Sequence, residues 1–169
     1  MYIYWKFMLT SLFIALLTAC GGNDQLDVAL PDGLPSIWTS NCYQLDNGNY
    51  FYKIMTFADA KFSWVGVSFT DAACSIVAMD GNSSAGAGTY TKGGIITTGA
   101  GVSAWEIEFI ITTEDFHDKS EKLYDIFAIN EGKLYFGKIS YDFNRRTPES
   151  RPAELELNIH YTASRTTYP

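Results

Sequence analysis

The stretch from Val102 to Thr113, VSAWEIEFIITT, decides the fold: Trp105, Ile107, Phe109 and Ile111 alternate with Glu106, Glu108 and, less cleanly, Ile110. A period of two places the apolar set on one face of an extended strand and the carboxylates on the other. Upstream, Ile37 to Gln44, Tyr50 to Phe57 and Lys61 to Phe69 read as strands. The first and second are joined by Asp46-Asn47-Gly48, a strong hairpin signal, and the second and third by Ala58-Asp59-Ala60. Cys74 to Met79, Thr89 to Lys92 and Ile95 to Thr98 read as short strands, the last two as a hairpin over Gly93-Gly94. Asp80 to Gly88 reads as a flexible loop; its glycines open no helical pattern, so a phosphate-cradling role is not indicated.

Downstream, Glu114 to Glu121 is a polar connection with room for one helical turn. Lys122 to Asn130 and Lys133 to Tyr141 then form a hairpin over Glu131-Gly132. A long polar loop, Asp142 to Ala153, leads to a last alternating strand through Leu155, Leu157, Ile159 and Tyr161. Such short strands, with turn residues between and no long amphipathic helix, predict an all-β fold. The expected form is an antiparallel up-and-down barrel of about eight strands, with a β-sandwich as the alternative. Closure into a barrel removes the free edges that invite aggregation.

The N-terminus carries an address. Residues 1–19 combine one charge, Lys6, with the apolar core Leu12-Phe13-Ile14-Ala15-Leu16-Leu17 and small residues at its end, the layout of a secretory signal peptide. Phe7 to Ala19 is shorter than the roughly 17–25 residues that span a bilayer. Leu17-Thr18-Ala19-Cys20 resembles the lipobox of bacterial lipoproteins, the alternative being an ordinary secretory signal with an incidental cysteine. The resemblance implies lipid on the Cys20 sulfur and cleavage before it; Gly21, rather than Asp, after the cysteine implies the outer membrane of the cell envelope. Residues 20–35, rich in Gly, Asp and Pro, read as a flexible tether, 36–163 as the β domain and 164–169 as a C-terminal tail.

Cleavage leaves 150 of the 169 residues, enough for one domain with a core, and takes the net charge from −7 to −8. An acidic chain with no Lys/Arg cluster has no electrostatic footprint for nucleic acid. The pair Arg145-Arg146 reads as a solvated feature beside Asp142 and Glu149. With Cys20 committed to lipid, Cys42 and Cys74 are expected to form a disulfide in an oxidising envelope. Without neighbouring His or Cys they make a poor zinc site, and Cys-x-x-Cys redox spacing is absent.

Trp38-x-Ser40-x-Cys42, Phe69-x-Asp71-x-x-Cys74, Gly88-x-Tyr90, Leu134-Tyr135-Phe136-Gly137 and Arg151-Pro152-x-Glu154-Leu155 together resemble a group of small, uncharacterised bacterial lipoproteins. The Trp…Cys…Asp-x-x-Cys part is also similar to the domain of the animal adenomatosis-polyposis-coli-down-regulated proteins, lipid-binding Wnt antagonists. That similarity implies a lipocalin-like barrel with the disulfide near one rim, an apolar interior and no catalytic residues.

Candidate chemistry is sparse. His117 and His160 have no serine, cysteine or carboxylate at triad or metal spacing, so no catalytic or metal site and no cofactor is expected. Glu106 and Glu108 share one strand face, roughly 6.5–7 Å apart at the backbone; a solvated acidic face accounts for them more simply than a glycosidase pair. Asp125 stands on an otherwise apolar strand and is expected to pair with Lys138 or take an edge position. Aromatics make up 15% of the chain, and an eight-stranded interior is either filled by side chains or wide enough for one small ligand. The expectation is a non-enzymatic, membrane-anchored module that holds an apolar small molecule or lipid against Trp64, Trp105, Phe109 and Phe136. The alternative is a filled barrel that docks or inhibits another envelope protein.

Overall fold

The computed structural model describes residues 36–79, 83–115, 117–138 and 144–164. Residues 1–35, with Cys20 and the tether, lie outside them, as do the tail residues after 164. The described strands are β1 (Ser36–Ser40), β2 (Tyr43–Gln44), β3 (Tyr50–Ala58), β4 (Lys61–Phe69), β5 (Ser84–Thr97), β6 (Ser103–Glu114), β7 (His117–Asn130), β8 (Lys133–Phe136) and β9 (Tyr161–Ser164). Each pairs antiparallel with its neighbour in sequence, except that β1 and β2 both pair with β3 as two halves of one broken strand. Because β1 also pairs with β9, through Trp38↔Ala163 and Ser40↔Tyr161, the sheet closes into an up-and-down barrel of eight staves.

Local chemistry sets the turns. Asp59 (φ 47°) and Ala60 (φ 60°) both adopt left-handed backbone between the paired Ala58 and Lys61, the two-residue turn whose twist matches a hairpin. Glu131 (φ 51°) and Gly132 (φ 73°) do the same between β7 and β8. Asp71 organises the connection after β4: its Oδ1 accepts from the backbone N–H of Ser75 and Ile76, and its Oδ2 from Ser75 Oγ. These bonds, that from Ile76 foremost, hold the carboxyl below the usual carboxylate range. They also shape the turn that presents Cys74 to Cys42, with Cα atoms 5.9 Å apart, so the disulfide ties this connection to the break between β1 and β2. The same break is clamped by Asn41, whose Oδ1 accepts from His160 N–H (2.9 Å) and whose Nδ2 donates to the Asn158 carbonyl (3.0 Å).

Inward positions fill a continuous core of Trp38, Met55, Phe57, Phe62, Ile107, Phe109, Ile111, Phe127, Leu134 and Tyr161. Aromatic contacts run through it: Phe62 lies 4.7 Å from Phe109 between ring centroids, Phe109 6.2 Å from Phe136, and Phe136 5.6 Å from Tyr161. A second, small core lies on the outer face, where Ala104, Ile126 and Ala128 meet Ile96 and Leu155. Leu155 belongs to a stretch fastened to the outer face by Gly99 N–H to the Ala153 carbonyl, Lys138 N–H to that of Glu154 and Glu156 N–H to that of Phe136.

Several expected boundaries are corrected. The loop at Asp80 to Gly88 and the hairpin over Gly93-Gly94 are replaced, from Ser84 on, by one continuous 14-residue strand, β5. Its glycines are there for close approach: a Cβ on Gly86 would lie 2.0 Å from the Trp64 indole, and one on Gly88 2.0 Å from the Ile110 carbonyl oxygen. At Gly93-Gly94 the register shifts between Lys92 and Ile95, so the strand bulges rather than turns. Residues 74–79 form a loop with the single bridge Phe69↔Val77. No helical turn separates β6 from β7, which begins at His117. The alternation from Leu155 to Tyr161 is split: Leu155 joins the outer core, Leu157 is exposed, and only Tyr161 onward belongs to β9.

Candidate functional site

The barrel is not solid. A cavity of about 300 Å³ occupies the interior toward the end that carries the disulfide and the β6–β7 turn. Its apolar wall comes from inward slots of four strands: Met55 of β3, Phe62 and Trp64 of β4, Phe109 and Ile111 of β6, and Leu123 of β7. Phe136 and Tyr161 close the side opposite β4. The indole of Trp64 stacks on Phe62, with ring centroids 5.7 Å apart and planes within 10°. It reaches this position because Gly86, its cross-strand partner, leaves the ring room. Two aromatic planes therefore form a flat apolar surface inside the barrel, where a bound group would be removed from water.

The same cavity has a polar end built by Lys53, Glu114, Asp125 and Arg145. Asp125 is only 3% exposed. Its Oδ1 accepts from the backbone N–H of Ile126 (2.8 Å) and Gly137 (3.0 Å), and its Oδ2 from Arg145 Nη1 in an ion pair. Burial pushes its pKa up to about 6, although the guanidinium and the two N–H groups pull the other way. Glycine at 137 permits this arrangement, since a Cβ there would lie 2.5 Å from both Asp125 Oδ1 and the Pro152 ring. Gly137 thus lies between the buried Asp125 carboxylate and the Pro152 ring.

Arg145 is delivered by the polar loop, whose carbonyl at that residue accepts from Tyr124 N–H (2.8 Å). Lys53 comes from the opposite wall: it faces inward with Phe51, Met55 and Phe57, and its backbone N–H donates to Ser40 Oγ (2.8 Å). Burial pushes the ammonium's pKa down, Arg145 adds to that, and Asp125 and Glu114 oppose it.

Of the four aromatics expected to line a pocket, Trp64, Phe109 and Phe136 do so. Trp105 does not line it; it packs against the core elsewhere, beneath the Lys92 ammonium at 4.3 Å from the ring centroid. Arg145 is not the solvated residue expected, because the carboxylate of Asp125 draws it inward; Arg146 stays exposed and pairs with Glu121. Asp125 accordingly pairs with Arg145 rather than Lys138. Glu106 and Glu108 do not face a shared cleft, being matched with Arg151 and Lys122 respectively. His160 precedes β9 and sits 6.1 Å from the Tyr135 ring, while His117 pairs with Glu114 across the β6–β7 turn. Among the described residues no three His, Cys, Asp or Glu side chains gather to hold a metal ion.

Sequence reasoning missed Lys53, Met55, Phe62 and Tyr161 as cavity residues. For Lys53 a signal existed, because strict alternation through Phe51, Met55 and Phe57 assigns it to the apolar face. No model of a known protein family and no curated protein matches the chain.

Proposed function

We propose that this protein is a small-molecule binding module, held at the cell envelope by lipid on Cys20, that takes a compact, mostly apolar ligand into its barrel. The observation that carries this reading is the interior cavity of about 300 Å³ walled by Met55, Phe62, Trp64, Phe109 and Phe136. Its volume stands at the lower end of ligand pockets, about 300–1,000 Å³, so the ligand is small or inserts only part of its length. Binding works by desolvation: apolar area leaves water at roughly 25 cal/mol per Å² and meets a wall already formed. Support for the anchor is the lipobox-like Leu17-Thr18-Ala19-Cys20.

Titration of the delipidated protein with decan-1-ol, followed by tryptophan fluorescence and calorimetry, tests the pocket. Saturable one-to-one binding is expected, and a flat titration at the alcohol's solubility limit defeats the reading. The anchor is tested separately by Cys20→Ser. Release of the protein from membranes is expected, and retention removes the lipid from the account.

A further inference from the structure

Four charged side chains line the polar end of the cavity: Lys53, Glu114, Asp125 and Arg145. Asp125 has three of its acceptor positions taken: two backbone N–H groups on Oδ1 and Arg145 on Oδ2. Its role is to hold Arg145 at the cavity, and it has little left for Lys53. No carboxylate among the described residues holds Lys53 Nζ at ion-pair distance; Asp125 and Glu114 act on it only through space. A half-buried ammonium at the polar end of an apolar cavity, with no carboxylate in contact, keeps hydrogen-bond donors free for an anionic group that enters. Facing it are Glu114 from β6, Asp125 from β7, Arg145 from the loop and the phenol of Tyr161 from β9. None of these is placed to neutralise it directly.

We propose that the ligand is an amphipathic monocarboxylate, its carboxylate neutralised by Lys53 with Arg145 beside it and its apolar body lying against Phe62, Trp64 and Phe109. The inference rests on the reading of the cavity as a binding site and adds the chemical class of what enters it. The bound carboxylate supplies Lys53 with a hydrogen-bonded counter-charge, which Asp125 and Glu114 give it only through space. Arg145 keeps Asp125 through Nη1 and still has other guanidinium donors, so it offers a second hydrogen bond without giving up its partner.

The experiment compares decanoate, decan-1-ol and decylamine on the wild type, Lys53→Met and Lys53→Arg, using calorimetry on the whole processed chain in detergent below its critical concentration. The wild type is expected to bind decanoate at least tenfold more tightly than decanol and decylamine least. Lys53→Met should lose at least tenfold in its preference for decanoate over decanol; Lys53→Arg should keep the preference. Equal affinity of the wild type for acid and alcohol, or an acid-to-alcohol ratio unchanged in Lys53→Met, overturns the proposal and leaves the apolar pocket standing. Failure of all three ligands to bind the wild type defeats the pocket itself. If Lys53→Met does not fold, the three-ligand series on the wild type decides alone.

Discussion

Replacing Arg145 by methionine tests the buried ion pair directly. In the native protein the Asp125 carboxylate is 3% exposed and carries a pKa of about 6 in place of the ordinary 3.8, even with the guanidinium in contact. That gap is worth about 3 kcal/mol at 1.36 kcal/mol per unit, so the charged form already sits uneasily in the fold. A carboxyl whose proton is held more tightly when folded stabilises the fold below 3.8, and that contribution is lost as pH rises through about 6. Arg145→Met removes the main attraction and moves the folded value higher still. Breaking such a buried pair from one side costs about 3–5 kcal/mol, and here the cost should be full near pH 8 and shrink toward pH 5 as Asp125 takes its proton.

Urea unfolding at both pH values, followed by circular dichroism, measures this. The double variant Asp125→Leu/Arg145→Met supplies the control. With both charges gone it should recover most of the lost stability, because desolvation of the pair offsets much of its attraction. A single variant that loses under about 1 kcal/mol at pH 8, or loses equally at both pH values, would refute the argument that Asp125 depends on Arg145 in a dry site.

Three further outcomes follow from particular residues. Cys42→Ala/Cys74→Ala opens a closure of 32 residues' separation, which the chain-entropy relation values at about 3.7 kcal/mol, or roughly 10–15 °C in Tm; a loss under about 1 kcal/mol counts against the staple. Gly86→Ala places a methyl 2.0–2.5 Å from the Trp64 ring, which must swing into the cavity. Decanol affinity should fall at least tenfold, with overpacking costing about 1–3 kcal/mol in stability, and unchanged affinity would show that the ring has somewhere else to go. Ala60→Gly relieves a left-handed alanine at φ 60° and should raise stability by about 0.5–1 kcal/mol in thermal unfolding; a loss would mean the turn tolerates alanine without strain.

The staves of the barrel were legible where their information is local. Alternation through Trp105, Ile107, Phe109 and Ile111 placed β6 within a residue of its bounds, and Asp46-Asn47-Gly48 and Glu131-Gly132 marked their hairpins, because turn geometry is chosen by the residues in the turn. The pairing of Cys42 with Cys74 was legible by elimination among three cysteines. Glycine misled in β5. Gly86 and Gly88 carry the same letter as a loop glycine, and only the Trp64 ring and the Ile110 carbonyl pressing on them explain why a strand needs them.

What the sequence determined by itself is therefore an all-β chain of alternating strands with one staple, since the two-residue period and the turns are short-range facts. What only the tertiary structure decided is the empty space and the charges around it. Lys53, Asp125 and Arg145 lie on different elements, 20 or more residues apart, and meet only when the sheet closes. Whether a barrel interior is filled or hollow depends on how side chains from opposite walls interleave, a sum over long-range contacts that no local pattern records.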